Sequence, residues 1–480
     1  MTIHVPTWEL RARFALGLAE MYGGEVPAYN TLVEVSRAVN DDVAALRGQD
    51  AERLGSIERV TAERHGAIRV GSPGELAGAA RVFAAFGMHP VGFYDLRDAS
   101  SSSVPVVSTA FRPVDAEELA RNPFRVFTSM LTTDDRRFFD PPTQQRLEAF
   151  LAGRTLFRDD LLALADRAAA GGGLPEPAAT ELLRLATAAF RLSDEPVDED
   201  WYRHLERISS VAADIGGVPS THVNHVTPRV LDIDELYRRM QARGIEMISE
   251  IQGPPAWEGP DVLLRQTSFR ALAEDRVFRA SDGGVRRGQL KVRFGEVEQR
   301  GIALTPRGRE LYDRLVNEVD RLRSADGEQR TRVEVAAEVW RANLPRTERE
   351  FAVQGLAFFT YRAQSGATIP AGSATVKDLI DRDALVPEPI VYEDFLPRSA
   401  AGIFQSNLTD EGTRDDRQSG TAWDITALSA VIGRPVRDPA ELYAAQQEAS
   451  LDAAEKALGI TIDRTALHAL EGMDVATVDV

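Results

Sequence analysis

His222-Val-Asn-His225-Val-Thr-Pro-Arg229-Val-Leu-Asp232-Ile-Asp-Glu235 has a twin earlier in the chain, His65-Gly-Ala-Ile-Arg69-Val-Gly-Ser72-Pro-Gly-Glu75. Counting from His225 or from His65, Arg follows at the fourth residue, a short polar residue at the seventh and Glu at the tenth. Ser72 with Glu75, and Asp232 with Glu235, have the spacing of a helix N-cap and its N3 partner. Pro73 suits the first helical position. Each His therefore sits on an extended segment that runs into a helix, and the two stretches read as one module used twice.

Working outward, Leu76, Ala80, Phe83 and Phe86 recur at helical spacing and Gly87 is a plausible stop. Strands are expected over 89–95, 104–114 and 124–130, giving the order βαβββ. The second copy carries its helix from Asp232 to Gly244, then expected strands over 245–252, around Arg265-Gln-Thr267-Ser268-Phe269-Arg270, and over 291–300. Thr109-Ala-Phe-Arg112 lies 44 residues after His65 and Thr267-Ser-Phe-Arg270 lies 42 after His225, which supports an internal duplication. Matching Arg125 to Arg293 sets Thr128 against Glu296.

The fold class is thus α+β, with duplicated βαβββ modules forming a metal-binding β core. The expected division is N-terminal helices over 1–58, the first module over 59–131, a helical insertion over 132–214, the second module over 215–304, and C-terminal helices and strands over 305–480 completing the pocket. In that last part, strands are expected over 351–362 and 389–396, and a helical tail from Pro439. His468 falls on the tail as a packing or surface residue.

The totals limit the chemistry. The 480 residues are 43% hydrophobic, ordinary for a globular protein. With 56 basic and 74 acidic residues the net charge is −18, which argues against nucleic acid or an anionic membrane as partner. There is no cysteine, so thiolate nucleophiles, disulfides and Cys-based metal sites are excluded. Any metal must be held by carboxylates and the seven His. No signal pattern or membrane-length apolar run is evident, and the expected location is cytoplasmic.

Two His at matched places, with a Glu near the end of the second module, describe a metal site. Two imidazoles and one carboxylate on one face leave coordination positions open, the arrangement suited to non-haem Fe(II). His222 and His225 compete for one place; the repeat picks His225. Glu296 and Glu298 share a strand face, so periodicity does not separate them, and the module match points to Glu296. Arg69 and Arg229, each four residues past a His, could hold the far carboxylate of a dicarboxylic substrate, with a plain salt bridge as the alternative. Arg265, Arg270 and Arg112 are further candidates.

Several stretches resemble the 2-oxoadipate dioxygenase/decarboxylase family of the vicinal-oxygen-chelate superfamily. They are His65-Gly-Ala-Ile-Arg69-Val-Gly, Asn224-His225-Val-Thr-Pro-Arg229, Leu264-Arg265-Gln-Thr-Ser-Phe269, Arg293-Phe-Gly-Glu296, and Tyr392-Glu-Asp-Phe-Leu-Pro397 with Ser399-Ala-Ala-Gly-Ile-Phe-Gln-Ser-Asn-Leu408. The resemblance implies an Fe(II) site of His65, His225 and Glu296, with Arg69 on a substrate carboxylate. It implies main-chain contacts to substrate around Arg398 and Ser399; the chain departs from the family pattern at Arg398, where a small apolar residue is expected. The implied reaction, in bacterial lysine catabolism, takes 2-oxoadipate and O2 to 2-hydroxyglutarate and CO2. The alternatives are a related metalloenzyme of this fold acting on another 2-oxo acid, and a non-catalytic binding protein. Nothing in the sequence fixes the oligomeric state.

Overall fold

The computed structural model describes residues 3–99, 104–291, 293–325, 327, 329–364, 366, 372–407 and 412–467. Two N-terminal helices, α1 (Thr7–Glu25) and α2 (Pro27–Arg47), precede the first strand. The first module is β1 (Arg64–Val70), α3 (Pro73–Ala84), β2 (His89–Asp95), β3 (Val106–Arg112) and β4 (Arg125–Leu131), as expected, with one short helix before β4. Ser72 caps α3 by accepting from the Glu75 amide at 3.3 Å. Residues 132–214 are mainly helical, ending in α4 (Ser210–Gly216).

The second module is β5 (Val223–Pro228), α5 (Ile233–Ala242), β6 (Leu264–Phe269), a hairpin of β7 (Glu274–Arg279) and β8 (Val285–Leu290), and β9 (Gly295–Arg300). Asp232 caps α5 through the Glu235 amide at 2.9 Å. The C-terminal part packs α6 (Pro306–Ala325), α7 (Arg332–Asn343), α8 (Pro397–Asn407) and α9 (Pro439–Leu458) around short strands. No helix among the described residues is long and apolar enough to cross a membrane.

One sheet runs in the order β2-β3-β4-β1-β5, with β1 parallel to β4 and antiparallel to β5. The antiparallel pair β6–β9 continues it, since Arg229 at the end of β5 bridges Glu298 of β9. Strand alternation divides this curved sheet into two faces. Ile68, Val70, Phe111, Val126 and Met130 turn outward and pack with Phe14, Leu32 and Phe83 of α1, α2 and α3. Ala67, Tyr94, Ala110 and Phe127 turn inward, toward Phe395 and the C-terminal helices. The inward face also carries the polar residues, so the sheet is covered on both sides and its polar groups must find partners within the protein.

Four expectations differ from the structure. Residues 245–252 form only two isolated bridges, Met247 to Phe269 and Gln252 to Gln266. The stretch 351–362 begins as a capped helix, Glu348–Val353, and becomes a strand at Phe359–Ala363; Thr347 and Glu350 supply a capping box that outweighs the apolar run. The strand expected over 389–396 ends at Pro389 (Leu385–Pro389), and the residues after it cross the sheet as an irregular roof. Thr128 does not match Glu296. The ladders set Thr109 against Thr128 and Ala110 against Phe127, and set Thr267 against Val297 and Ser268 against Glu296. With Thr109 matched to Thr267, the ladders put Phe127 and not Thr128 in the register position of Glu296, on the other face from Thr128. His468 lies outside the described residues.

Candidate metal centre

His65 on β1, His225 on β5 and Glu296 on β9 all point inward, and one donor atom from each lies within 4.8 Å of the others. The ladder brings them together: Ala67 sits opposite His225, so His65 and His225 flank one stretch of the β1–β5 seam, and β9 runs alongside. Nε2 of His65 is 3.0 Å from Oε1 of Glu296, and Nε2 of His225 is 3.7 Å from Oε2. The two imidazole rings meet edge to face at 5.4 Å.

Each of the three has a second partner. His225 Nδ1 lies 2.9 Å from the Thr227 hydroxyl, and Phe294 stacks on its ring at 5.1 Å. Gln266 donates to Glu296 Oε1 at 2.7 Å. His65 Nδ1 is 2.9 Å from Oε2 of Glu298, a charge contact that lies off the hydrogen-bonding axis of the ring. Glu298 is in turn held by Arg300 at 2.7 and 2.8 Å and by Arg125 at 3.3 Å. Arg125 and Arg229 share Glu63 at 2.7 and 2.8 Å, and Arg125 and Arg59 both grip Glu393 of the roof. Isolated buried charges on this scale would be prohibitive; here each is paired.

Burial and charge set the protonation states. Burial pushes the His225 imidazole down to about 4, so it is neutral and able to donate a lone pair at pH 7. For His65 burial acts downward too, but Glu298 and Glu296 outweigh it and the net shift is upward. Burial opposes ionisation of Glu296, yet His225 and His65 hold it below the usual carboxylate range. Two imidazoles and a carboxylate of this kind suit a divalent metal that takes nitrogen and oxygen ligands.

Phe395 forms the roof, its ring 5.0 Å from His65 and 4.9 Å from Phe127. Arg112 fixes that roof through two bonds to Asp394, at 2.8 and 3.0 Å. Arg69, also on the inward face of β1, is buried and paired with Asp214 of α4. Asn224 donates to Asp214 at 3.2 Å and His222 Nε2 lies 3.3 Å from it, so His222 belongs to this second cluster and not to the triad. Ser399 is buried near the start of α8. The Arg398 side chain is 63% exposed and turns toward Asp320, so it brings no cation to the pocket.

Arg265 is a correction. It shares the face of Thr267, away from the triad, and pairs with Asp234 at 2.7 Å and with the Pro254 carbonyl. Gln266, the next residue, is the one that reaches the site; strand parity with Glu296 would have found it. Arg229 and Arg112 are structural ion pairs, and Arg270 pairs with Glu246 at the surface.

Two histidines and one carboxylate converging on the inward face of the β-sheet form a group that could hold a metal ion. Residues 14–407 match the family model described as 2-oxoadipate dioxygenase/decarboxylase, and the chain belongs to that family. The relative so named from Mycobacterium tuberculosis is 55% identical over 437 residues, 91% of this chain and 96% of that protein. The one from Pseudomonas putida is 41% identical, over 94% of this chain and 97% of its own length. Among solved structures, the hydroxyglutarate synthase of Pseudomonas putida in complex with 2-oxoadipate aligns with a TM-score of 0.80 at 38% identity, covering 95% of this chain and 99% of that one.

Proposed function

We propose that the chain is an Fe(II)-dependent dioxygenase that converts 2-oxoadipate and O2 to 2-hydroxyglutarate and CO2, a cytoplasmic step of lysine breakdown. The observation that carries this is the buried triad of His65, His225 and Glu296, whose donor atoms lie within 4.8 Å of one another, in a chain of this family. These three residues would hold the iron, which when bound supplies the redox chemistry and activates O2. The protein's own groups bind, orient and exclude water. Arg69 would hold the far carboxylate of the substrate, and main-chain groups of Arg398 and Ser399 would line the near end. Phe395 and Phe127 close the site to water. Substrate carbon leaves as CO2 and both oxygen atoms end in the hydroxy acid, so no side chain has to act as a general base.

The matching ladders, Ala110 against Phe127 and Ser268 against Glu296, support a duplicated βαβββ module of the vicinal-oxygen-chelate kind, with the divisions at 58, 131, 214 and 304 and the C-terminal part as roof. The test is oxygen uptake by Fe(II)-loaded protein given 2-oxoadipate. Wild type consumes oxygen and His225→Ala does not. Normal uptake by His225→Ala would sink the ligand assignment, and no uptake by loaded wild type would redirect the reading to another 2-oxo acid.

A further inference from the structure

Glu298 has no task in the reaction just proposed, yet it occupies the other side of a metal-ligating ring. It lies two residues beyond Glu296 on the same face of β9, fully buried. The two carboxylates meet His65 from opposite sides, Glu296 3.0 Å from Nε2 and Glu298 2.9 Å from Nδ1. Arg300 takes both oxygens of Glu298, and Arg125 adds a third contact. Arg300 is itself anchored to the main-chain carbonyls of Tyr392 and Asp394 at 2.7 and 3.0 Å. A carboxylate braced in this way cannot swing round to become a ligand. It can fix what the ring beside it does.

We infer that Glu298 is a positioning residue for the metal: its charge, 2.9 Å from Nδ1 though off the hydrogen-bonding axis of the ring, favours the His65 tautomer that leaves the Nε2 lone pair free toward Glu296 and His225, and makes His65 the stronger imidazole donor. A metal-bound histidine whose other nitrogen faces a carboxylate is held in one tautomer and is a better donor. His225 has no such partner, because its Nδ1 faces the neutral hydroxyl of Thr227 at 2.9 Å. The two imidazoles are therefore unequal, one backed by an anion and one by a hydroxyl. This rests on the proposal above that the triad holds a metal.

The experiment compares Glu298→Gln with Glu63→Gln. Glu63 is equally buried in the same network, 2.7 Å from Arg125 and 2.8 Å from Arg229, but makes no contact with His65. Fe(II) affinity is measured by chelator competition, together with the visible absorption of the anaerobic complex with 2-oxoadipate and a thermal melt. The expected result is Fe(II) binding weakened about 10–100-fold in Glu298→Gln, with a shifted absorption band. Glu63→Gln melts earlier but keeps wild-type affinity. Wild-type affinity and band in Glu298→Gln, or an equal loss of affinity in Glu63→Gln, would overturn the inference. Should Glu298→Gln fail to fold, Glu298→Asp draws the charge back from Nδ1 by one methylene and is held to the same criteria. Wild type that binds no Fe(II) would overturn the metal assignment itself.

Discussion

The roof over the candidate metal centre is held on one side by the buried Arg112–Asp394 ion pair, and the strength of that pair can be worked out. Arg112 at the end of β3 and Asp394 are each 1% exposed and joined by bonds of 2.8 and 3.0 Å. Arg112→Met keeps most of the side chain's length but leaves Asp394 charged and buried, with Tyr443 as its remaining side-chain partner. Breaking one side of such a pair costs about 3–5 kcal/mol. For 480 residues, unfolding entropy of about 2.1 cal/mol/K per residue gives roughly 1 kcal/mol/K, so the melting temperature should fall by about 3–5 °C. Adding Asp394→Asn removes the stranded charge and should restore more than half of the loss. Because Phe395 is the next residue and packs on His65, oxygen uptake should fall in the single variant and recover in the double. Thermal melts and urea titrations of the two single variants and the double give the coupling energy. Loss below about 1 kcal/mol in Arg112→Met, or a double variant that merely sums the singles, would refute the reasoning.

Two further outcomes are expected. Burial holds His222 down to about 4 against an ordinary 6.5, so between those values the unfolded chain takes up a proton that the folded chain refuses, and stability falls as pH drops. Urea denaturation should show wild type losing about 2 kcal/mol more than His222→Gln between pH 7.5 and 5; equal losses would mean that His222 titrates normally. A Cβ on Gly295 would stand 1.8 Å from the Phe269 ring across the β6–β9 pair, so Gly295→Ala should destabilise by about 1–3 kcal/mol and, by shifting Glu296, weaken Fe(II) binding. Unchanged melting and metal content would show that Phe269 can move aside without cost.

That His65, His225 and Glu296 come together was legible because the same spacing recurs around both histidines. A spacing that recurs in two distant stretches is evidence that no single His can offer, and it distinguishes His225 from His222. Strand phase was the weak point. Whether Arg265 or Gln266 faces the site depends on one residue of register, and a sequence read for charge chooses the arginine. The β7–β8 hairpin had its own signal, the turn dipeptide Asp282-Gly283, with Gly283 at φ +79° as a tight turn requires. The ion pairs beneath and above the site left none: Arg112 and Asp394 are 282 residues apart, and only the folded sheet makes them neighbours.

Glu296 and Glu298 resisted separation by periodicity for a reason that the structure turns into an argument. Alternate residues of a strand stand about 6.8 Å apart on one face, close to what is needed to grip an imidazole by both of its nitrogens. A Glu-x-Glu strand laid beside a histidine can therefore supply a ligand from one residue and a brace from the other without any loop or helix. What distinguishes the two is their surroundings. Among the described residues Glu296 receives Gln266 and the Thr227 hydroxyl besides the histidines, which leaves its oxygens able to serve a metal. Glu298 is locked by two guanidinium groups. Arg300, two residues beyond Glu298, and Arg125 on β4 hold Glu298 in place and leave Glu296 without a guanidinium partner among the described residues.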